Sequence, residues 1–312
     1  MTVADRLLVI GATGFAGRHL AAAAEDSGWE VVRAARRATD EADIRCDLLE
    51  PASVGEAVKA TSPDAIANLA GSASVAASFR DPAEAFEANA TGALNFLEAV
   101  ARHRPEAYAL CISSGDVYGG AGESELPFTE ASPVRPASPY GASKAAMEAI
   151  CGAYARISGL DIGVARAFNH TGPGQSDAFA ASSFARQIAD AEQRGEPEVV
   201  LTTGDLGVRR DFSDVRDVVR AYLAVTERRL AGTYNVCSGE ARPVGDLIEL
   251  LGEASPLEVS TEVDSTRLRP DEPRIVYGSA QALFEAVGWQ PRNPLERTVR
   301  DLLDWWRERI RR

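Results

Sequence analysis

Tyr140 and Lys144 stand four residues apart in the stretch YGASK, a spacing that sets both side chains on one face of a helix. An ammonium close to a phenol favours the phenolate and draws its pKa from about 10 toward neutrality, which equips a tyrosine to give or take a proton. Lysine occurs only at 59 and 144 in a chain whose other cations are arginines, so a lysine at this spacing carries weight. Ser114 closes the apolar run ALCISS, at the end of a strand where a parallel sheet presents its ligands. Its hydroxyl can hydrogen-bond the oxygen that Tyr140 protonates, although a serine at a strand end also serves as a cap or turn residue. Ser114, Tyr140 and Lys144 are the candidate catalytic set.

A second cluster points to a dinucleotide. Gly11-Ala12-Thr13-Gly14-Phe15-Ala16-Gly17 follows one apolar run directly and opens a helical one. Glycines there allow a tight turn and bring backbone N–H groups close to a pyrophosphate at a helix N-terminus, so Gly11, Thr13, Gly14, Phe15 and Ala16 are candidate cofactor contacts. The GxxGxxG spacing resembles the glycine turn of the short-chain dehydrogenases. Where an NAD site offers an acid to the ribose hydroxyls, this chain has Arg33, Arg36 and Arg37, with no acid until Asp40. Guanidinium groups suit a 2′-phosphate, so the expected cofactor is NADP, with Arg36 as its contact and NAD as the alternative. Surface arginines without a ligand are the plain reading of the same residues.

These residues need a scaffold, and the pattern supplies one. Short apolar runs (RLLVIG, WEVVRAAR, DAIANLAG, EAYALCISS, DIGVARAFN) alternate with helical stretches, the signature of βαβ units and a parallel sheet. The expected fold class is α/β, a Rossmann-like doubly wound sheet with a smaller α/β substrate-binding domain. The helix carrying Tyr140 should start at Ser138-Pro139 and stop at Gly159. Residues 1–169 and 208–240 form the expected cofactor domain, and 170–207 with 241–312 the substrate domain.

Composition narrows the partners. A formal charge of -13 repels nucleic acid and anionic membranes, so a phosphate-bearing ligand must be held by local cations. Cys46, Cys111, Cys151 and Cys237 lack CxxC or zinc-ligand spacing, and no metal site is expected. The N-terminal stretch lacks a basic region before its short apolar run, and no run reaches membrane-spanning length; a cytoplasmic enzyme is the expectation.

The stretches SSGDVYG, RAFNHTGPGQ, RRDFSDVRDVVRAY, YNVCSG and RLRPDEPRIV resemble the extended short-chain dehydrogenase/reductases of the nucleotide-sugar epimerase/dehydratase group, over nearly the whole chain. Within it the likeness is greatest to the branch that reduces GDP-4-keto-6-deoxy-D-mannose. The resemblance implies that Tyr140 is the acid, that Lys144 orients the nicotinamide ribose, and that Ser114 bonds the substrate. It implies cofactor contacts at Asp47, Leu48 and the Leu69-Ala70-Gly71 turn, and substrate contacts at Asp116, Asn169, Arg210 and Arg269. It implies a GDP-linked sugar as substrate, and a homodimer through helices near 81–103 and 138–158. Asn68 departs from the pattern, standing where relatives carry His, and His170 is expected as a spacer or substrate contact rather than a base.

Dehydratases of the group carry a glutamate, paired with an acid or a serine, after the catalytic Thr or Ser. Here the slot holds Gly115 and Asp116: one position offers nothing and the other is a methylene short of a base that must reach the sugar. Reduction of a ketone asks only for hydride, a proton and a polarising hydroxyl. A C4 epimerase with tightly held NAD, a dehydratase and a non-catalytic nucleotide-binding protein remain alternatives at this point.

Overall fold

The computed structural model describes residues 5–37, 39, 41–120, 122–268 and 272–311. Seven strands form the main sheet: β1 (Arg6–Ile10), β2 (Glu30–Ala35), β3 (Ile44–Arg45), β4 (Ala65–Asn68), β5 (Tyr108–Ser114), β6 (Ile162–Ala167) and β11 (Gly232–Val236). Their order is β3-β2-β1-β4-β5-β6-β11, with every neighbouring pair parallel. This is the doubly wound Rossmann arrangement, whose order reverses between β1 and β4 and so opens a crevice at their C-terminal ends.

Apolar side chains fill both faces, as a parallel sheet requires. On one face Leu7, Val9, Tyr108 and Leu110 pack with Leu20 of α1 (Phe15–Asp26) and with Val218 and Tyr222 of α8 (Val215–Glu227). On the other, Leu8, Ile66 and Cys111 pack with α2 (Pro51–Thr61), α5 (Gly92–His103) and α6 (Pro139–Ser158), through residues such as Val54, Phe96 and Met147. All four cysteines are buried and free.

A separate apolar cluster joins α7 (Ala180–Arg194), β8 (Glu198–Thr203), α9 (Gly245–Glu253) and α11 (Leu295–Arg311) around Phe184, Leu201, Leu251 and Trp306. Strand β8 pairs with β13 (Glu258–Val263). Short strands link the two parts. Asn169–Thr171 (β7) runs parallel to Phe212–Asp214 (β10), and Arg209–Arg210 (β9) lies between Arg242–Pro243 (β12) and Ile275–Val276 (β14). Helix α10 (Gln281–Val287) had no clear signal in the sequence; its Leu283, and Trp289 beyond it, sit in the main-sheet core. Asp217 of α8 holds that segment by accepting the backbone N–H groups of Arg292 and Asn293, each at 2.8 Å. Among the described residues no helix is long and apolar enough to cross a membrane.

Candidate active site

Helix α6 is built as its sequence signals require. Ser138 caps it, with Oγ accepting from Gly141 N–H at 3.0 Å; Pro139 opens it, and Gly159 ends it in the left-handed conformation at φ 66°. Its first two turns present Tyr140 and Lys144 to the end of β5, where Ser114 stands, and all three side chains are buried. The Tyr140 backbone N–H donates to Ser78 Oγ at 3.1 Å, in α3 (Val75–Arg80). Lys144 Nζ donates to the Ile112 carbonyl at 2.8 Å.

The electrostatics differ from the expectation. Burial first, and the Asp116 carboxylate second, push the Tyr140 phenol above its ordinary value; the hydrogen bond with Ser114 pulls it only partly back. Lys144 does not draw it down, because the ammonium lies 6.0 Å from the ring centroid and burial pushes Lys144 itself down to about 8. A phenol held up in this way keeps its proton at neutral pH.

After β5 the chain makes a 3-10 turn at Gly115–Val117. Ser114 Oγ donates to Asp116 Oδ2 at 2.9 Å and accepts from the Asp116 N–H at 3.1 Å, so Asp116 folds back on the serine. At Gly115 a Cβ would meet the Phe168 ring at 2.8 Å, and at Gly278 a Cβ would meet the same ring at 2.5 Å. The position where a dehydratase carries its second polar group is therefore filled by an aromatic ring.

The glycine turn fits a dinucleotide pyrophosphate. Gly11 has φ 84°, and a Cβ there would come within 2.8 Å of Ala70 N; at Gly17 a Cβ would come within 2.1 Å of Gly11 O. The turn thus lies directly on the Leu69-Ala70-Gly71 segment, leaving a cradle of backbone at the crevice. Helix α1 starts at Gly14 with no side-chain cap and no acid in its first turn, which leaves N–H groups and the positive end of the dipole to an anion. Asn68 Oδ1 accepts from Ala70 N–H at 3.2 Å and shapes the same segment. Asp47 Oδ1 accepts from Leu49 N–H at 3.1 Å, and buried Leu48 gives its carbonyl to Asn95 at 2.7 Å.

Residues 7–237 match the family described as "NAD dependent epimerase/dehydratase family". The chain belongs to this family. A GDP-6-deoxy-D-mannose reductase of Pseudomonas aeruginosa is 41% identical over 310 residues, covering 98% of this chain and 99% of its own. The solved structure of RMD from Pseudomonas aeruginosa complexed with NADPH superposes with a TM-score of 0.88 at 39% identity, over 98% of this chain and 99% of that one. A UDP-glucose 4-epimerase from Thermus thermophilus in complex with NAD gives 0.85 at 31% identity, over 97% and 99%.

In this epimerase/dehydratase-family chain the remaining expected contacts are spread unevenly. Asn169 is exposed in β7. Arg210 is engaged by Glu272 at 2.8 Å, and Arg269 lies outside the described residues. His170 stacks on Phe15, with centroids 5.8 Å apart and planes at 7°, so it braces the glycine turn. Arg36 and Arg37 are exposed past the end of β2.

Asn89 was missed in the sequence. It sits in a π-helical turn at Glu87–Thr91, a feature often found at functional sites. Its Nδ2 donates to Ser143 Oγ at 2.9 Å, while its buried Oδ1 has no partner. A Cβ on Gly71 would fall 2.4 Å from that oxygen and 3.7 Å from Lys144 Nζ. Only the irregular helix, invisible in the local pattern, turns this asparagine inward.

Lys144 is costly to the fold. At neutral pH its burial opposes a charge that water would stabilise, and Lys144→Met removes that penalty while leaving the Ile112 carbonyl unpaired. The fall from 10.5 to about 8 corresponds to up to about 3 kcal/mol, less roughly 1–2 for the carbonyl. Net stabilisation of about 1–2 kcal/mol at pH 7 is expected. A lowered lysine pKa penalises the folded state fully below the folded value and not at all above the unfolded one, so the gain should fade between about pH 8 and 10.5. Urea unfolding at pH 7 and 10 checks this, and a variant equally stabilised at both would contradict it.

Proposed function

We propose that this protein is an NADPH-dependent oxidoreductase that reduces the C4 ketone of GDP-4-keto-6-deoxy-D-mannose to GDP-D-rhamnose. The observation that carries the reading is the turn after β5: Ser114, Tyr140 and Lys144 are buried together, while Phe168 fills the Gly115 position and Asp116 folds onto Ser114. Hydride chemistry keeps its groups, and elimination lacks its pair. The 41% identity to a GDP-6-deoxy-D-mannose reductase over nearly the whole length supports the same substrate.

The bound cofactor supplies hydride from its nicotinamide. Ser114 turns its O–H from Asp116 Oδ2 to the ketone oxygen when substrate binds and polarises it, and Tyr140 Oη delivers the proton that completes the alcohol. Lys144 orients the nicotinamide ribose. Gly11, Thr13, Gly14, Phe15 and Ala16 cradle the pyrophosphate, and Asp47, Leu48 and the Leu69–Gly71 segment line the adenine and ribose side. Arg36 stands at the ribose rim. Asn169 and Asp116 contact the sugar, and Arg210 and Arg269 the pyrophosphate of the GDP-linked substrate. Arg210 must share its guanidinium with Glu272.

We also assign residues 1–169 with 208–240 to the cofactor domain and 170–207 with 241–312 to the substrate domain, with Leu283 and Trp289 reaching back to the first. Leu94 of α5 and Ile157 of α6 are exposed, which supports a homodimer through these helices. Four buried free thiols suit the cytoplasm.

The test mixes purified protein with enzymatically generated GDP-4-keto-6-deoxy-D-mannose and either NADPH or NADH, following cofactor absorbance and the product by NMR. Stoichiometric loss of NADPH with one 6-deoxyhexose product is expected. A new sugar without cofactor loss would make the protein an epimerase, and no reaction would refute the assignment.

A further inference from the structure

A cavity of about 350 Å³ opens between the glycine turn and the segment after β2, lined by Ala12, Arg18, Arg33, Glu41 and Asp43. Its two guanidinium groups are held differently. Arg33 Nη2 pairs with Glu25 of α1 at 2.7 Å, and its backbone N–H donates to Asp43 Oδ2 at 2.7 Å; these contacts fix the end of β2. Arg18 stands on α1 with both Nε and Nη2 directed to the single oxygen Oε2 of Glu41, at 3.1 and 2.8 Å. The side chains of this second pair are 56% and 61% exposed.

Resting on the dinucleotide reading above, we propose that the Glu41 carboxylate and the 2′-phosphate of the cofactor compete for the Arg18 guanidinium, so that Glu41 sets how strongly the chain prefers a 2′-phosphate to a 2′-hydroxyl. Arg18 is the cation placed for this role. It faces the cavity beside Ala12, and its only carboxylate contact among the described residues is an exposed surface pair of the kind that water screens and that contributes little. One carboxylate oxygen shared by two N–H groups leaves the fork half used. A phosphate offers several oxygens and more charge to the same fork. A 2′-hydroxyl offers no charge, so Glu41 keeps Arg18 neutralised and the pocket still accepts it.

The test is calorimetric titration of the full-length protein with adenosine 2′,5′-bisphosphate and, separately, adenosine 5′-monophosphate. Glu41→Gln should tighten the bisphosphate by about threefold to tenfold and leave the monophosphate within about twofold. Arg18→Met should weaken the bisphosphate by about tenfold, and adding Glu41→Gln to it should bring no further gain. Both positions are exposed, so either variant should fold. If Glu41→Gln moves the two nucleotides equally, or neither, the competition is refuted while the cofactor reading stands. If the unmodified protein binds neither nucleotide, the cofactor reading fails and this inference fails with it.

Discussion

Tyr140→Phe should lower kcat for ketone reduction by about 10²- to 10⁴-fold, the range expected when a general acid is removed. The loss should be confined to chemistry. The tyrosine is fixed by its backbone N–H on Ser78 and by the capped start of α6, and neither contact involves the phenol. Burial and Asp116 hold the phenol above its ordinary value, so the hydroxyl carries its proton at neutral pH and nothing else at the end of β5 replaces it. Ser114 donates to Asp116, and Lys144 to the Ile112 carbonyl. Steady-state kinetics should therefore show kcat collapsing with KM within about threefold and the unfolding midpoint little changed. A variant with more than about a tenth of the activity would remove Tyr140 from the role.

Glu148→Ala should destabilise the fold by about 3–5 kcal/mol, the cost of leaving a buried charge without its partner. Glu148 lies one helical turn past Lys144 on the same face of α6. It receives Arg166 Nε at 2.9 Å and Nη2 at 2.6 Å and a hydrogen bond from Ser113 Oγ, with only 12% and 7% of the two ionic side chains exposed. Arg166 also donates to Tyr118 OH at 2.8 Å, which donates to Asn235. The network ties α6 to β5, β6 and β11 behind the candidate catalytic residues. Replacing both partners by apolar residues, Glu148→Leu with Arg166→Met, should recover part of the loss. Denaturant unfolding checks both, and a loss below about 1 kcal/mol for Glu148→Ala would show the pair to be dispensable.

The main sheet and the grouping of Ser114, Tyr140 and Lys144 were legible because their signals are local. Alternating apolar runs specify parallel strands, and Ser138, Pro139 and Gly159 bracket α6 within one stretch of chain. Ser114 was readable from its strand end, and the structure brings it to Tyr140. What escaped depends on partners far apart in sequence. Arg18 lines the cavity beside the glycine turn only because the segment holding Glu41 returns to α1. Segment 281–293 joins the main-sheet core because Asp217 captures its backbone, although its local pattern gave no helix. The direction of the Tyr140 shift was misjudged for the same reason: spacing shows that a lysine is near, but burial, which outweighs it, arises from the assembled fold. Arg210 carries no sequence mark of Glu272.

Phe168 keeps a larger side chain out of position 115. Its ring fills the space above both Gly115 and Gly278 and belongs to the apolar cluster of Val117, Tyr118, Phe128 and Cys237. A polar side chain placed at 115 would need that ring moved or shrunk, and shrinking it costs about 3–5 kcal/mol for a large-to-small core change. Lengthening Asp116 alone supplies half of a pair. Either single change would leave the protein less stable or with half a pair, so the ring couples the chemistry available after β5 to the packing of a core cluster.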